Sequence, residues 1–368
     1  MLISKAEMIA LQIVGEYTDA PAEMLMGKQG LPLCEMLGHG YLKFSENKSS
    51  LRLTKAGAEI LSKIGVNVKI GIRSTGRKLQ RKLQGAQAAM FLSSLGINVF
   101  VSSVPKSIFE PMYLSSAELR RQKYSNVLGM SKFLGLLYAK EVSYVVYNIS
   151  GLAARAEIFY PQTDEDIFTR EIISANNPAE ILYVSDKSLY EMAAAFVETQ
   201  SNKTPTEKIK HGCGFYQAIE RFNVPMKLVS MPESADQLRI MLTEDYRDKL
   251  ARYMLNADYA WTAADFVDSK MLGFKDGYFI VFIDFDVKKL ERALSIIHDL
   301  HILVLKEQIP ALKILLQNRK AKIYSITSSE AFEVLGIPPP VNMNLEQYKT
   351  AEGVGIIAHR AIKKQNKR

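Results

Sequence analysis

The chain has few of the residues that build disulfide-rich, zinc-binding or membrane-spanning proteins. Only two of its 368 residues are cysteine, Cys34 and Cys213, which excludes a disulfide framework and a zinc site made of four cysteines. The longest apolar runs, such as 279–283, are far shorter than the roughly 20 residues of a membrane span. Lys5 and Glu7 interrupt the N-terminus where a secretory signal needs an apolar core. We therefore expect a cytoplasmic protein that does not contact a membrane.

Acidic residues are absent from one long stretch of the chain. From Ile60 to Phe109 there is no Asp or Glu, whereas eight Lys and Arg residues lie there, a number equal to the net charge of +8 of the whole chain. A segregated positive field attracts polyanions, and nucleic acid is the usual polyanion of the cytoplasm. The alternative is a charged surface that only increases solubility. For the basic tail after Glu352, the alternative is a disordered segment.

The first 66 residues have the order of elements of a winged helix-turn-helix. Apolar periodicity, capping signals and turn residues predict helices over 4–17, 22–26 and 31–37, strands over 41–44 and 50–53, and a closing helix over 55–64. Gly38 and Gly40 are expected to end the third helix, and Thr54 to cap the fourth. Gly57 allows close packing where the fourth helix crosses the core. Other small α/β modules share part of this order, but few share all of it.

A long basic helix is predicted over residues 74–95. Its apolar residues form one stripe, and Arg77, Lys78, Arg81 and Lys82 form two rows of like charge at i,i+4 spacing on an adjoining arc. Like charges at this spacing repel each other by about a few tenths of a kcal/mol per pair unless an anion relieves them. We interpret this arc as a face that follows a phosphate backbone. The alternative is a solvated helix whose cations pair with acids from elsewhere in the fold.

The remainder of the chain alternates between strand and helix patterns. Strands are predicted over 143–148, 155–160, 181–184, 226–229, 279–283, 301–305 and 322–326. Helices are predicted over 126–138, 189–198, 235–242, 287–298 and 310–318. Because the strands are apolar on both faces, the pattern predicts an α/β domain with a mixed or mostly parallel sheet covered by helices. The chain is thus divided into a winged helix-turn-helix (1–66), a basic helical connector (67–111), an α/β domain (112–340) and a basic C-terminal tail (341–368).

Three acidic residues of the α/β domain are candidates for a metal-dependent nuclease site. Asp284 and Asp286 follow a strand and would point to one side as paired metal ligands. The preferred interpretation is that Asp286 caps the helix starting at Val287 and that Asp284 lies in the turn. Asp186 precedes Lys187 after a buried strand, but nuclease sites of that kind need an acid two residues before the lysine. We therefore expect Asp186 to cap the next helix.

No other residues form a recognisable catalytic or cofactor site. His211 and Cys213 are two metal-ligand types without a second pair to complete a tetrahedral site. The sequence contains neither the Gly-rich phosphate loop of nucleotide-binding proteins nor the nucleophile elbow of hydrolases. We assign no catalytic residue, no metal ligand and no cofactor, and keep a metal-dependent nuclease or nicking enzyme as an alternative hypothesis.

The chain resembles the replication-relaxation family, which consists of winged-helix proteins encoded on plasmids and integrative elements, mainly of Gram-positive bacteria. The similar segments are 37–42, 53–57, 79–90, 133–137 and 144–148, and the likeness covers about two thirds of the chain in the order and character of its residues. The resemblance implies DNA binding connected with plasmid replication, relaxation or conjugative transfer. It also implies a core distantly similar to nuclease folds.

These observations lead to the hypothesis of a double-stranded DNA-binding accessory protein of a bacterial mobile element. The third helix would enter the major groove, and cations of the wing and of the basic helix would contact phosphates. The predicted DNA-binding residues are Lys28, Gln29, Lys43, Lys48, Arg52, Arg73, Arg77, Lys78, Arg81 and Lys82. The hypothesis allows a relaxase, replication proteins or a second copy of the chain as further partners. The alternative is a protein–protein adaptor or transcriptional regulator in which the winged helix is a docking module.

Overall fold

The chain folds into two compact units. The computed structural model describes residues 5–22, 33–46, 50–66, 68, 70, 74–101, 110–121, 133–140, 142–149, 179–201, 225–255, 259–261, 269–271, 277–296 and 299–338. The first unit is formed by the described residues up to Val99, and the second by those from Phe100 onwards. No helix within these ranges is long and apolar enough to cross a membrane.

The described residues of the first unit form four helices and a small antiparallel sheet. The elements are α1 (Lys5–Tyr17), β1 (Ala20–Pro21), α2 (Leu33–Gly38), β2 (Leu42–Phe44), β3 (Ser50–Leu53), α3 (Lys55–Lys63) and α4 (Gly76–Ser94). Strand β3 is central and pairs antiparallel with β1 on one side and β2 on the other. Helix α1 packs against α3, α4 and β3 and buries Leu11, Ile13 and Val14 completely.

Two close backbone approaches fix the path of the chain from α2 through the hairpin to α3. Gly40 has a φ of 68°, which favours glycine, and its N–H donates to Leu37 O at the end of α2. Thr54 Oγ1 accepts a hydrogen bond from Gly57 N at 3.2 Å and caps α3. A Cβ at Gly57 would lie 2.4 Å from Tyr41 O. The predicted strands, cap and glycine packing of this segment are confirmed, whereas most of the predicted helix over 22–26 lies outside the described residues.

The first sheet of the second unit has five strands. They are β4 (Met112–Ser115), β5 (Phe133–Tyr138), β6 (Ser143–Asn148), β7 (Ala179–Ser185) and β8 (Met226–Ser230), in that order across the sheet. Strands β4, β5 and β6 pair antiparallel, and β6, β7 and β8 pair parallel. This sheet is therefore mixed, as the apolar strand pattern predicts.

The second sheet repeats this arrangement. Its strands are β9 (Tyr259–Trp261), β10 (Ser269–Met271), β11 (Gly277–Val281), β12 (Asp299–Leu305) and β13 (Lys322–Ile326). Strands β11, β12 and β13 form a parallel three-stranded part, which β10 and β9 extend antiparallel. In both sheets the strands thus lie in the order of the sequence, with an antiparallel meander followed by parallel strands.

Described helices connect β7 to β8, β11 to β12 and β12 to β13, and the helices share one core with both sheets. The helices of the second unit are α5 (Ser116–Arg121), α6 (Leu189–Ser201), α7 (Ala235–Met241), α8 (Tyr246–Leu255), α9 (Val287–Ile296), α10 (Ile309–Leu316) and α11 (Ser328–Leu335), with a 3-10 turn over Lys306–Gln308. Helix α6 packs on α10. Buried residues of the first sheet, such as Val145 and Ile181, belong to the same cluster as Ile280 and Val304 of the second.

One sequence prediction for this unit is wrong. The helix predicted over 126–138 is contradicted by β5, since Phe133–Tyr138 is a strand whose residues are all buried. A run that is apolar on both faces carries no periodicity that separates strand from helix, and a Cβ at Gly135 would lie 2.3 Å from Leu114 O of the neighbouring strand. The pairing also divides the predicted strands between two sheets, a division that the sequence prediction did not make. The strand predicted over 155–160 lies outside the described residues.

Candidate nucleic-acid interface

The predicted DNA-binding cations that the structure describes lie on the hairpin and on α4. Lys43 on β2 is exposed and pairs in register with Arg52 on β3. Like charges directly opposite each other on antiparallel strands repel. Within the described residues, Lys43 has no acidic partner, whereas Arg52 has one.

The acid that pairs with Arg52 is Asp19, in the turn between α1 and β1. Arg52 Nε lies 2.6 Å from Asp19 Oδ1, and the Asp19 side chain is 0% exposed. Ser50 Oγ donates to the same oxygen at 3.2 Å. A buried carboxylate needs such partners because its desolvation costs roughly several kcal/mol. Arg52 therefore balances an internal charge, a role that the sequence prediction missed, and its capacity to bind a phosphate is reduced.

Lys82 on α4 lies beside the same acid. Its Nζ donates a hydrogen bond to Thr18 Oγ1. Burial lowers the pKa of Lys82, the charge of Asp19 raises it, and the neighbouring charges of Lys78 and Arg52 lower it further. Lys78 and Lys82 of α4 and Arg52 of β3 thus lie near the same carboxylate, that of Asp19. The cluster therefore keeps a net positive charge.

Some polar groups at the N-terminal end of α4 and just before it have no acceptor in the described part of the chain. Lys78 is exposed, and neither Lys78 nor Arg81 pairs with a described acid. Arg81 Nη2 and Ser74 Oγ are both buried without a hydrogen-bond partner. The first turn of α4 contains no acidic residue, and Thr75 at its N-cap makes no side-chain hydrogen bond. The positive end of this helix dipole is thus surrounded by further positive charge.

The other predicted contact residues cannot be placed. Lys28, Gln29, Lys48 and Arg73 lie outside the described residues. The backbone of Arg77 is in the first turn of α4, but its side chain is outside the description. The structure therefore brings together Arg52, Lys78 and Lys82 and leaves the predicted base contacts untested.

The second unit contains a different cluster of charges, which we call the buried ionic cluster: Glu180, Lys227, Arg247, Asp284 and Asp286. Lys227 on β8 forms an ion pair with Glu180 on β7 and lies 3.6 Å from Asp284 Oδ2. Burial lowers the pKa of Lys227, but the charge of Glu180 and the other acidic neighbours outweigh it, so that the pKa is raised well above its ordinary value. Lys227 is therefore a buried, charged ammonium group.

Asp284 connects the second sheet to this lysine. Its Oδ2 accepts hydrogen bonds from Tyr246 Oη at 2.9 Å and from Arg247 Nη2 at 2.5 Å. Burial raises the pKa of Asp284, but the charges of Arg247 and Lys227 outweigh it and hold the pKa below its usual range. Asp284 lies in a turn, as predicted, and is ionised there because two cations face it.

Asp286 caps α9, as predicted. Its Oδ1 accepts from Lys289 N in the first turn and from Met226 N on β8, both at 3.2 Å. Burial and the nearby charge of Asp284 raise the pKa of Asp286 to about 6. Backbone contacts extend this connection, since Leu228 N donates to Phe285 O at 3.2 Å. The turn that carries both aspartates thus lies along the edge of the first sheet.

These contacts give no support to the alternative of a metal-dependent nuclease. Both aspartates accept hydrogen bonds from protein donors, and no cluster of three or more His, Cys, Asp or Glu residues that could hold a metal ion occurs in the described ranges. The predicted cap at Asp186 is wrong, because Ser188 Oγ accepts from Glu191 N at 3.2 Å and Glu191 Oε2 accepts from Ser188 N. His211 and Cys213 lie outside the description.

Sequence reasoning missed Lys227 and Arg247. A signal for Lys227 is present, since a lysine inside an otherwise apolar buried strand (Met226–Ser230) requires an anionic partner. The identity of that partner depends on the pairing of β7 with β8 and on the position of the second sheet, which no local pattern reveals.

Comparison with protein-family models, with curated proteins and with solved structures found no match for this chain. The interpretation of its sites therefore rests on the residues themselves.

Proposed function

We propose that the first unit binds double-stranded DNA through a positively charged surface formed by the β2–β3 hairpin and α4. The observation that carries this proposal is that Lys78 is exposed and that neither Lys78 nor Arg81, one turn further along α4, pairs with an acid among the described residues. Exposed cations without an acidic partner are available to an external polyanion. A phosphate oxygen is an acceptor that suits a guanidinium group and the positive end of a helix dipole.

The order of elements supports the same proposal. Helix α1, strand β1, helix α2 and the β2–β3 hairpin follow one another, and β3 pairs with β1; these described elements supply part of the order that a winged helix-turn-helix needs. In such a module the helix before the hairpin enters the major groove, while the hairpin and neighbouring cations contact the backbone. We further propose that the protein is an accessory factor of a plasmid or integrative element and acts in its replication, relaxation or transfer.

A titration of a DNA duplex with the full chain at several salt concentrations tests the proposal. Each neutralised phosphate contributes about −0.9 to the slope of log K against log salt, so several contacts give a steep negative slope. The variant K78A/R81A should bind at least about tenfold more weakly and show a slope less negative by about two if each side chain contacts one phosphate.

The matched control is K140A/K249A, which removes two positive charges from exposed lysines of the second unit. It should leave the slope unchanged. A slope near zero for the unmodified protein, or equal losses for both double variants, contradicts binding through this surface.

A further inference from the structure

The second unit contains a cavity of about 580 Å³ between the end of α10 and the first residues of β12 and β13. Four cations line it, Lys313, Arg319, Lys320 and Lys322, together with one acid, Asp299. Its volume lies within the roughly 300–1,000 Å³ that is usual for small-molecule sites. The lining is therefore strongly positive for a cavity of this size.

Three cations of this cavity, Lys313, Arg319 and Lys320, are poorly neutralised by the described residues. Lys313 and Lys320 are exposed and have no acidic partner in the described part of the chain. Arg319 has only a long contact, with Nη2 at 3.4 Å from Glu291 Oε1. The single acid of the lining, Asp299, has its Oδ1 at 3.3 Å from Nε2 of the buried His301. One carboxylate thus faces four cations in the lining.

The helix end explains only part of this charge. Lys313 lies in the last turn of α10, where a cation stabilises the negative end of the helix dipole. Lys320 and Lys322 lie beyond the helix, after Gln317 and Asn318, which both have positive φ and turn the chain towards β13. The turn places them in the same lining as Lys313, although like charges repel. A concave site focuses their field.

We propose that this cavity binds a phosphate group. Arg and Lys side chains are the usual donors to phosphate oxygens, and the apolar residues of the lining, Leu300, Leu316 and Ile323, provide a surface for the remainder of the ligand. The phosphate can belong to a nucleic-acid backbone or to a small phosphorylated molecule such as a mononucleotide. The site lies in the second unit and does not depend on the proposed function of the first.

Calorimetric titration of the full chain tests this site with two probes: adenosine 5′-monophosphate, with adenosine as its unphosphorylated control, and a short single-stranded oligonucleotide. The variant K320A/K322A should bind at least one of the phosphorylated probes at least about tenfold more weakly, because it has lost charge-assisted contacts to the phosphate. A loss for the mononucleotide identifies a free phosphorylated ligand, and a loss for the oligonucleotide alone identifies a nucleic-acid backbone.

Two controls make the outcome decisive. K140A/K249A should bind both probes like the unmodified protein, and K78A/R81A should lose duplex affinity while it retains mononucleotide binding. Failure of the first unit to bind duplex DNA would leave the effect of K320A/K322A intact. The proposal is overturned if the unmodified protein binds neither probe, if adenosine binds as well as its monophosphate, or if K320A/K322A binds both probes as the control does.

Discussion

The two units of the molecule use the same residue types in opposite ways. In the first unit, Lys43 and Lys78 are exposed and have no acidic partner among the described residues. In the second unit, Lys227 is buried and faces both Glu180 and Asp284. The difference shows that the position of a cation in a basic or neutral stretch of sequence does not determine whether the fold gives it an acidic partner.

The structure also shows that the contrast is graded. Asp19 pairs with Arg52, and burial lowers the pKa of Lys82 although the charge of Asp19 opposes this, so part of the basic surface of the first unit is neutralised from within. In the cavity of the second unit, Lys313 and Lys320 have no acidic partner among the described residues, as is also true of Lys43 and Lys78 in the first unit. Variants that remove a cation or its acidic partner test this comparison.

The largest effect is expected for K227M. This change removes the ammonium group and leaves Glu180 and Asp284 with fewer partners, and breaking a buried pair in this way costs about 3–5 kcal/mol of unfolding free energy. The single tryptophan, Trp261, lies in β9 of the second unit, so its fluorescence during denaturant unfolding measures the change. K249M, at an exposed lysine of the same unit, should change the unfolding free energy by less than about 0.5 kcal/mol. Equal effects of the two variants would contradict a stabilising role of the buried ionic cluster.

An intermediate effect is expected for D286N, and it should depend on pH. Since the folded pKa of Asp286 is raised to about 6, the folded state favours the neutral carboxyl group, and this favourable contribution is lost as pH rises through about 4 to 6. Asn keeps an oxygen that can accept from Lys289 N and Met226 N. D286N should therefore stabilise the second unit by about 1–2 kcal/mol at pH 8 and by much less at pH 4.5, as measured by unfolding at both values. If D286N raised the unfolding free energy equally at both pH values, the gain would not come from the ionisation of Asp286.

The smallest effect is expected for D19N, and it concerns DNA affinity. Asn can still accept from Arg52 and Ser50, but it removes the negative charge that neutralises Arg52. Duplex affinity at fixed low salt should rise by about two- to fivefold, since one surface charge contributes on the order of 0.5–1 kcal/mol. E59Q makes the same change of charge at an exposed position of α3 and is the control. The same affinity for D19N as for E59Q, with the unit still folded, would show that Arg52 does not contribute to the basic surface.

Local patterns predicted much of the fold. The strands over 143–148 and 322–326 are found with the predicted bounds, because apolar residues of high strand propensity are bounded there by polar residues. Thr54, Gly57 and Asp286 have the predicted local roles, since caps and close approaches depend on neighbours within a few residues. The basic helix α4 was predicted for the same reason, because its lack of acidic residues and the spacing of its apolar residues are both local properties of the sequence.

The sequence could not reveal what depends on distant residues. Asp19 and Arg52 are 33 positions apart, and their pairing requires β1 and β3 to be neighbours. Phe133–Tyr138 was misassigned because a run buried on both faces has no period. The division of the strands into two sheets, and with it the position of Asp284 beside Lys227, follows from long-range packing that no local rule encodes.

The order of strands in the second unit has a consequence for synthesis on the ribosome. Strands β4 to β8 complete one sheet before β9 begins, so the first sheet can assemble while the second is still being translated. Lys227 already has Glu180 within that first sheet, and its charge is compensated before Asp284 emerges. A nascent half-unit can therefore exist without an orphan ammonium group in its interior.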